Sequence, residues 1–533
     1  MVRLPFSPRY GATSTPILAA AGFITLTIIY LLRYSGQITP FTSGNFSFRT
    51  SKVSGLNLDA INRTAQYFVD YPLGAPYKKV FGELGHRTQV LRSWVEALEE
   101  EDGKRGRRLV GAEREFLAGQ VERVAASLFP YLQSPPRNPA SQSPLADLRL
   151  SFRGDGTLVR QQQSIVEEEG EASGAAVDTA RTGDWNDNQA NKPRNAGIVI
   201  PTGAKTLRFA CHLVASLTRV HRTTLPIQVV YAGDEDLTQE DRDVITEAAG
   251  EGRLEFLDIL TVFNDTTLRL AEGGWAIKPF AALGSRFEEV ILLDADAVLI
   301  QAPERFLQQR SYRDKGALLF HDRLLWKGQF PERREWYHET LKHPGPEMQK
   351  SLVWTEGYAE EGDSGVVVLN KGRSDVLLGL LHIGWQNSHA VRNAWTYRVT
   401  YGDKETWWLG LEATGSRYSF SRHYGGMAGW RVPMQGVQTD VTQVCSFSIA
   451  HVDEEDALLW YNGGLLKNKM SNATEFAVPT HWMIDQQWVK GEKKKDMSCM
   501  LGTNVRELNE RERDVLARSI EAAKDVDEVL ELI

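Results

Sequence analysis

Apolar and polar positions follow different patterns in successive parts of the chain. From Tyr10 to Leu32 no residue is charged, and Pro16–Leu32 is nearly all apolar. At ~1.5 Å rise per residue the uncharged stretch reaches ~30 Å or slightly more, enough to cross a bilayer. A cleaved signal peptide is the rival reading, but its apolar region runs only ~7–15 residues before a small-residue cleavage site. Here the run is longer and Arg33-Tyr34 follows it. The pattern predicts an uncleaved transmembrane signal anchor over 10–33 behind a cytosolic tail, 1–9. Residues 34–58 are rich in Ser, Thr and Gly and read as a stem. From about Leu56 to Gln133 the period becomes helical, with Leu117, Val121, Val124 and Leu128 on one face. Residues 34–133 are therefore expected to be a stem and helical N-terminal region. The acidic-to-basic run Glu99–Asp102, Lys104–Arg108 reads as a solvated loop between helices. Residues 134–194 read as a flexible linker with one short ordered piece near Leu148–Phe152.

At Gly197 the pattern changes again. Short apolar runs at Gly197–Ile200, Pro226–Tyr231, Leu254–Leu260 and Glu289–Leu293 predict buried strands. Helical patterns lie between them: Leu207, Cys211 and Val214 on one face, a capping box from Thr238 to Asp241, and Trp275–Leu283 despite Pro279. Alternating strands and helices predict an α/β domain with a mostly parallel sheet and ligands at the strands' carboxyl ends. The domain is expected over 195–504. Val505–Ile533 reads as an amphipathic C-terminal helix, with Leu516, Ile520, Ala523 and Leu530 available for packing.

Composition narrows the function. The 533 residues carry a net charge of −8, with 24% charged and 42% hydrophobic residues. A net acidic globular chain argues against broad electrostatic binding of nucleic acid. Cys211, Cys445 and Cys499 allow at most one disulfide, and Cys445 with Cys499 is the expected pair. Four N-x-S/T sequons, at Asn45, Asn62, Asn264 and Asn472, all follow the single span. Together they favour a lumenal body, making this a single-pass type II membrane protein.

The sharpest chemical signal is Asp294-Ala295-Asp296, directly after the Glu289–Leu293 strand. Two carboxylates at i and i+2 at the end of a buried strand are costly without a positive partner. A divalent cation is the natural occupant, and hard oxygen ligands suit Mn²⁺ or Mg²⁺. A solvated turn is the bland alternative for so short a motif.

Longer stretches in a fixed order carry a resemblance. GIVIPTG (197–203), PIQVVYAGDED (226–236), GWAIKPFAAL (274–283), FEEVILLDADAVLIQAPE (287–304), DSGVVVLNKGR (363–373), YGDKETWWLG (401–410) and HVDEEDALLWYNGGLLKNK (451–469) resemble the fungal Golgi mannosyltransferases of the α-1,3 and related α-1,2 type. The resemblance covers about Asn195 to Asn468. It implies a nucleotide-sugar-binding GT-A-like fold and transfer of mannose from GDP-mannose to a glycan or glycoprotein acceptor. It also implies retention at the anomeric carbon, dependence on Mn²⁺, a Golgi membrane location and membership of a Golgi mannosyltransferase complex.

Beside that resemblance each motif has its own reading. Lys278, in the apolar setting WAIKPF, is expected to touch the donor phosphates or ribose rather than sit on the surface. Asp363-Ser364-Gly365 precedes a strand, and the glycine allows close backbone approach to a sugar; by resemblance the loop contacts the donor sugar's hydroxyls through Ser364 and Gly365, with Asp363 a catalytic candidate and an ordinary turn acid the alternative. Gly402–Thr406 holds Asp403, the expected carboxylate near the reacting centre, beside Lys404, which contacts substrate or forms an ion pair with Glu405. Trp407 and Trp408 are core residues or a sugar-stacking wall. Retaining transfer uses a covalent carboxylate or same-face attack, and the residue pattern fits either. By resemblance, His451 is the third metal ligand with Asp294 and Asp296, and Lys467 contacts the diphosphate. A longer insert than His-x-x-Gly-x-x-Lys separates the two. Asp322-Arg323 reads either as a donor or acceptor contact or as a buried ion pair. The rival classes are a same-fold transferase using a UDP-sugar, a glycan-binding protein without turnover, and a tethered scaffold acting through the helices of 60–133.

Overall fold

The central strands form around short apolar runs such as Ile198–Ile200, Val290–Leu293 and Val366–Leu369, which suit strands buried on both faces. The computed structural model describes residues 57–99, 109, 111–153, 195–250, 254–433 and 441–532. The anchor expected over 10–33, the stem with Asn45, and most of the charge run around Gly103 lie outside those residues. Among the described residues no helix is long and apolar enough to cross a membrane.

In chain order the first strands are β1 (Ala196–Pro201), β2 (Ile227–Tyr231), β3 (Leu254–Asp258), β4 (Glu289–Leu293), β5 (Ala297–Leu299), β6 (Ala317–His321), β7 (Gly362–Asn370) and β8 (Ser419–Phe420). Among the described residues the central sheet has seven strands in the order β3-β2-β1-β4-β7-β6-β8. Neighbours are parallel except at β7, which runs antiparallel to both β4 and β6. The expected mostly parallel α/β sheet is therefore present, with β7 as an antiparallel strand inside it.

The period-two pleat sends successive side chains to opposite faces. Ile198, Ile200, Val229 and Ile291 pack on one face with Cys211 and Val214 of the helix Leu207–Ala215. Val199, Val230, Val290 and Leu292 pack on the other with the helices Ile277–Gly284 and Ser374–Asn387. Pro279 sits in the first turn of its helix, where its missing N–H breaks no hydrogen bond. The Thr238–Asp241 capping box is formed, with Asp241 N–H donating to Thr238 Oγ1 at 3.2 Å and Thr238 N–H to Asp241 Oδ2 at 3.0 Å.

Residues Leu56–Ile533 form one compact unit. The helices Leu58–Asp70, Phe81–Glu99 and Gly111–Leu128 are a layer of that unit rather than a separate stalk. Phe81 packs edge-on against Trp336 and Trp385, and Tyr131 Oη donates to Leu381 O at 2.6 Å. Part of the expected linker is also folded. Pro144–Arg153 is a helix whose first N–H groups are taken by the buried Glu122, through Leu145 at 2.9 Å and Ala146 at 2.8 Å. Polar composition here reflects a turn and a helix start, whose orphan donors need a partner.

The C-terminal part departs from the expected parallel pattern. β9 (Met427–Val432) and β10 (Thr442–Ser446) belong to an antiparallel sheet of six strands among the described residues. β11 (Ile449–Val452) pairs with β12 (Leu458–Asn462), which pairs with β5. Cys445 lies opposite Cys499 in the antiparallel register, and the two form the expected disulfide. The last helix starts at Glu510 behind an Asn509–Glu512 capping box. It is fastened by Asp527, which accepts from Arg208 Nε at 2.9 Å and lies 2.7 Å from His212 Nε2. Of the described sequon asparagines, Asn62 and Asn472 are exposed and Asn264 is half-buried.

Candidate active site

β4 delivers Asp294 and Asp296 at its carboxyl end, beside β7, where Asp294 N–H donates to Gly365 O at 2.9 Å. The turn is held from the other side by Gly463 and Gly464, whose N–H groups donate to Asp296 O at 3.2 and 2.8 Å. Both glycines have positive φ, +140° and +81°, which side-chain-bearing residues rarely adopt.

Lys278 is buried, and its ammonium is the hub of the site. It lies 2.8 Å from Asp294 Oδ1 and 3.3 Å from Asp403 Oδ2, and donates to both the carbonyl and the hydroxyl of Ser364 at 2.8 Å. Burial alone would weaken its charge, yet the two carboxylates hold its pKa above the ordinary lysine value. Burial, relieved in part by Lys278, pushes Asp294 up to about 6, with the Asp296 and Asp403 charges adding to the rise. Asp403 is enclosed and also accepts from Trp407 Nε1 at 2.7 Å. It therefore orients Lys278 rather than lying open to a sugar. Trp407 and Trp408 are both core residues.

Asp363 and His451 form a second buried unit. His451 Nε2 is 3.0 Å from Asp363 Oδ2, and the ring stacks on Trp460 with centroids 4.3 Å apart. Asp363 Oδ1 accepts from Gly365 N–H at 3.0 Å and Asn462 Nδ2 at 3.2 Å. Burial would raise the Asp363 pKa, but the His451 bond, the Lys404 charge and the Gly365 N–H together hold it well below the usual carboxylate range. A Cβ on Gly365 would lie 2.7 Å from Asn462 Nδ2 and 2.9 Å from Trp460 Cζ3. What approaches this glycine is the protein's own core, not open space for a sugar.

Lys404 pairs with the fully buried Asp322 at 2.5 Å. Although burial opposes its charge, Asp322 and Asp363 hold its pKa above the ordinary value. Arg323 N–H donates to Asp322 Oδ1 at 2.7 Å, and its guanidinium lies over Trp488. Of the two readings of Asp322-Arg323, the buried ionic one is formed.

The lysine assignment changes. Lys467 bonds Glu475 at 2.6 Å, on the small hairpin Leu466–Asn468/Asn472–Phe476. Lys469 is the lysine that reaches the motif, where it pairs with Asp296 Oδ2. The strand ends at Asn468, so side-chain alternation does not carry over to residue 469.

The expected metal triad is not assembled. Asp294 and Asp296 are oxygen donors of the kind Mn²⁺ or Mg²⁺ takes, but each is paired with a lysine, and His451 Nε2 is committed to Asp363. Among the described residues no three His, Cys, Asp or Glu side chains are grouped to hold a metal ion. The arrangement does not fit the three-ligand site. Its positive charge at the motif comes from Lys278 and Lys469.

Residues 195–453 match the family described as "Mannosyltransferase putative". The chain is 32% identical over 294 residues to alpha-1,3-mannosyltransferase MNT3 of Saccharomyces cerevisiae, covering 48% of this chain and 44% of the relative. It is 27% identical over 343 residues to alpha-1,3-mannosyltransferase MNN1 of the same yeast, covering 55% and 43%. The chain thus spans less than half the length of these two relatives. Among solved structures, the S. cerevisiae mannosyltransferase Ktr4p in complex with GDP aligns at a TM-score of 0.30 and 14% identity, covering 52% of this chain and 81% of that one. The segment that matches this family description, residues 195–453, is the one that builds β1 to β8 and holds Lys278, Asp294, Asp403 and Asp363.

Proposed function

We propose that this protein is a retaining glycosyltransferase that moves mannose from GDP-mannose to a glycan or glycoprotein acceptor, forming an α-1,3 linkage. The observation that carries the reading is the Lys278 hub, a buried ammonium joining Asp294, Asp403 and Ser364 at the carboxyl end of β4. Ligands of α/β sheets bind at that end. The names of the relatives support the mannosyl and α-1,3 parts of the reading, and the sequence resemblance supports the GT-A-like fold and the donor.

Departure of GDP builds negative charge on the diphosphate, and fixed positive groups lower that barrier. Lys469 is the residue for this role, since its Asp296 partner is at the motif and only partly buried. Lys278, held by two carboxylates and Ser364, keeps the floor of the site rigid. The sequence resemblance also supports a divalent cation, Mn²⁺ or Mg²⁺, in the reaction.

The proposal includes a Golgi membrane location, type II topology and association with other Golgi mannosyltransferases. The Cys445–Cys499 disulfide supports an oxidising, lumenal body. Glycosidase treatment of the expressed protein should increase its gel mobility, and an unchanged band with protease access from the cytosol would overturn the topology. For the activity, the full chain in detergent is given GDP-mannose and a mannoside acceptor, with GDP release and product linkage measured. An α-1,3-linked product is expected. Turnover of a UDP-sugar instead would overturn the donor, and an α-1,2 product the linkage.

A further inference from the structure

Trp275 and Tyr401 are half or more exposed, at 50% and 62%, although both flank the buried core of the site. Their rings contact each other, with centroids 5.3 Å apart and planes tilted by 46°. Trp275 lies three residues before Lys278, about one helical turn, and Tyr401 lies two residues before Asp403. Lys278 and Asp403 are themselves joined at 3.3 Å. Both elements that supply the buried ion pair thus also supply an exposed aromatic ring.

The pair is held in place. Gly402, at φ +66°, packs beneath the indole: a Cβ there would sit 2.8 Å from Trp275 Cε3. Its carbonyl accepts from Thr400 Oγ1 at 2.8 Å, which sets the turn that carries Tyr401. Two large rings left in water are unfavourable unless something covers them. Trp407 and Trp408, the aromatic residues that the sequence pattern offered as a sugar-stacking wall, are buried and cannot serve.

We infer that Trp275 and Tyr401 form the platform on which a pyranose ring of the acceptor glycan rests. The inference builds on the glycosyltransferase reading. The apolar C–H face of a pyranose matches the negative face of an aromatic ring. Two rings tilted by 46° make an open angle that suits a puckered sugar, not a parallel slot for a flat base. The rim beside it is ionic, with Arg269 and Glu272 3.9 Å apart just before Trp275, and offers partners for hydroxyl groups.

The test is direct binding of α-mannobiose to the full chain in detergent, by saturation-transfer NMR and titration, for wild type, Trp275→Ala, Tyr401→Ala and Trp275→Phe. Loss of one stacking ring should weaken mannobiose at least ~10-fold, the scale measured for other ring-stacked ligands. Trp275→Phe should stay within ~3-fold, because the stacking face is retained. Melting temperatures should be little changed, since both side chains are exposed. GDP-mannose affinity, read from ligand-induced thermal stabilisation, should be unaltered. Unchanged mannobiose affinity in both alanine variants overturns the platform, as does a wild type that binds no pyranoside. Loss of GDP-mannose affinity with mannobiose retained also overturns it, by assigning the rings to the nucleotide. A wild type that binds mannobiose through Trp275 yet transfers no sugar leaves the platform standing and overturns the proposed activity.

Discussion

The Lys278 ammonium sits 2.8 Å from Asp294 Oδ1, so the first carboxylate of the D-x-D motif is neutralised by the helix that precedes its own strand. The pair lies at the junction of β4, β7 and the turn before Lys404, and joins three segments far apart in sequence. Replacing Lys278 by Met keeps the stem and removes the charge. Asp294 and Asp403 are then left facing each other without a cation, which costs about 3–5 kcal/mol for a buried pair. We expect a lower melting temperature together with at least ~100-fold less transfer, the scale of losing one strong electrostatic group in a preorganised site. Full activity in a normally folded Lys278→Met variant would remove the hub from the mechanism.

Lys469 and Lys467 make opposite predictions although they are two residues apart. Lys467 holds a partly exposed pair with Glu475, and such pairs contribute about 0–1 kcal/mol. Lys467→Ala should keep kcat/KM within ~2-fold, an effect of that size. Lys469→Ala removes the cation on Asp296 and should lower kcat/KM by ~10-fold or more, as for the loss of an electrostatic stabiliser. The reverse ranking would return the diphosphate role to Lys467.

The pH dependence of stability should report Glu122. Burial raises its pKa to about 7, although the Leu145 and Ala146 N–H groups favour the charged form. In the unfolded chain a glutamate titrates at about 4.3. Between roughly pH 4.5 and 7 the folded state therefore binds more protons than the unfolded state, and stability falls as pH rises through that window. Glu122→Gln should flatten the fall by about 1–3 kcal/mol, the scale of a shift of this size. Chemical denaturation of both proteins at pH 5 and pH 8 checks it, and parallel pH profiles would exclude Glu122 as the source.

Lys371 is a buried lysine whose side-chain nitrogen is held by carbonyl oxygens. Its ammonium donates to Ala282 O and Leu283 O at 2.9 Å, and to Ser285 O at 2.5 Å, at the end of the helix that carries Lys278. Burial lowers its pKa well below the ordinary value. Lys371→Met leaves those carbonyls without their donor, at about 1–3 kcal/mol for each unsatisfied group. A clear drop in the unfolding midpoint is expected, with part of the transfer activity lost through the shifted Lys278. An unchanged midpoint would show that water replaces the ammonium without cost.

The sequence by itself determined what short-range periodicity can encode. The apolar runs at 197–200, 226–231 and 289–293, short and bounded by turn residues, read as buried strands, and the structure bears this out. The capping box at Thr238 and the apolar setting of Lys278 were legible for the same reason, since each depends on near neighbours, whereas three cysteines left the choice of disulfide pair to the register of two distant strands. Tertiary structure alone decided which charges meet. Lys278 finds Asp403, His451 turns to Asp363 instead of the D-x-D motif, and Lys469 displaces Lys467 because the first strand of the hairpin ends at Asn468. The antiparallel sheet that begins at Met427 was equally hidden, because its strands are short and pair across long loops. A buried ion must take whichever partner the packing brings within about 3 Å, where the low dielectric makes the pairing strong. That choice is set by the crossing of distant segments, and no local pattern of residues records it.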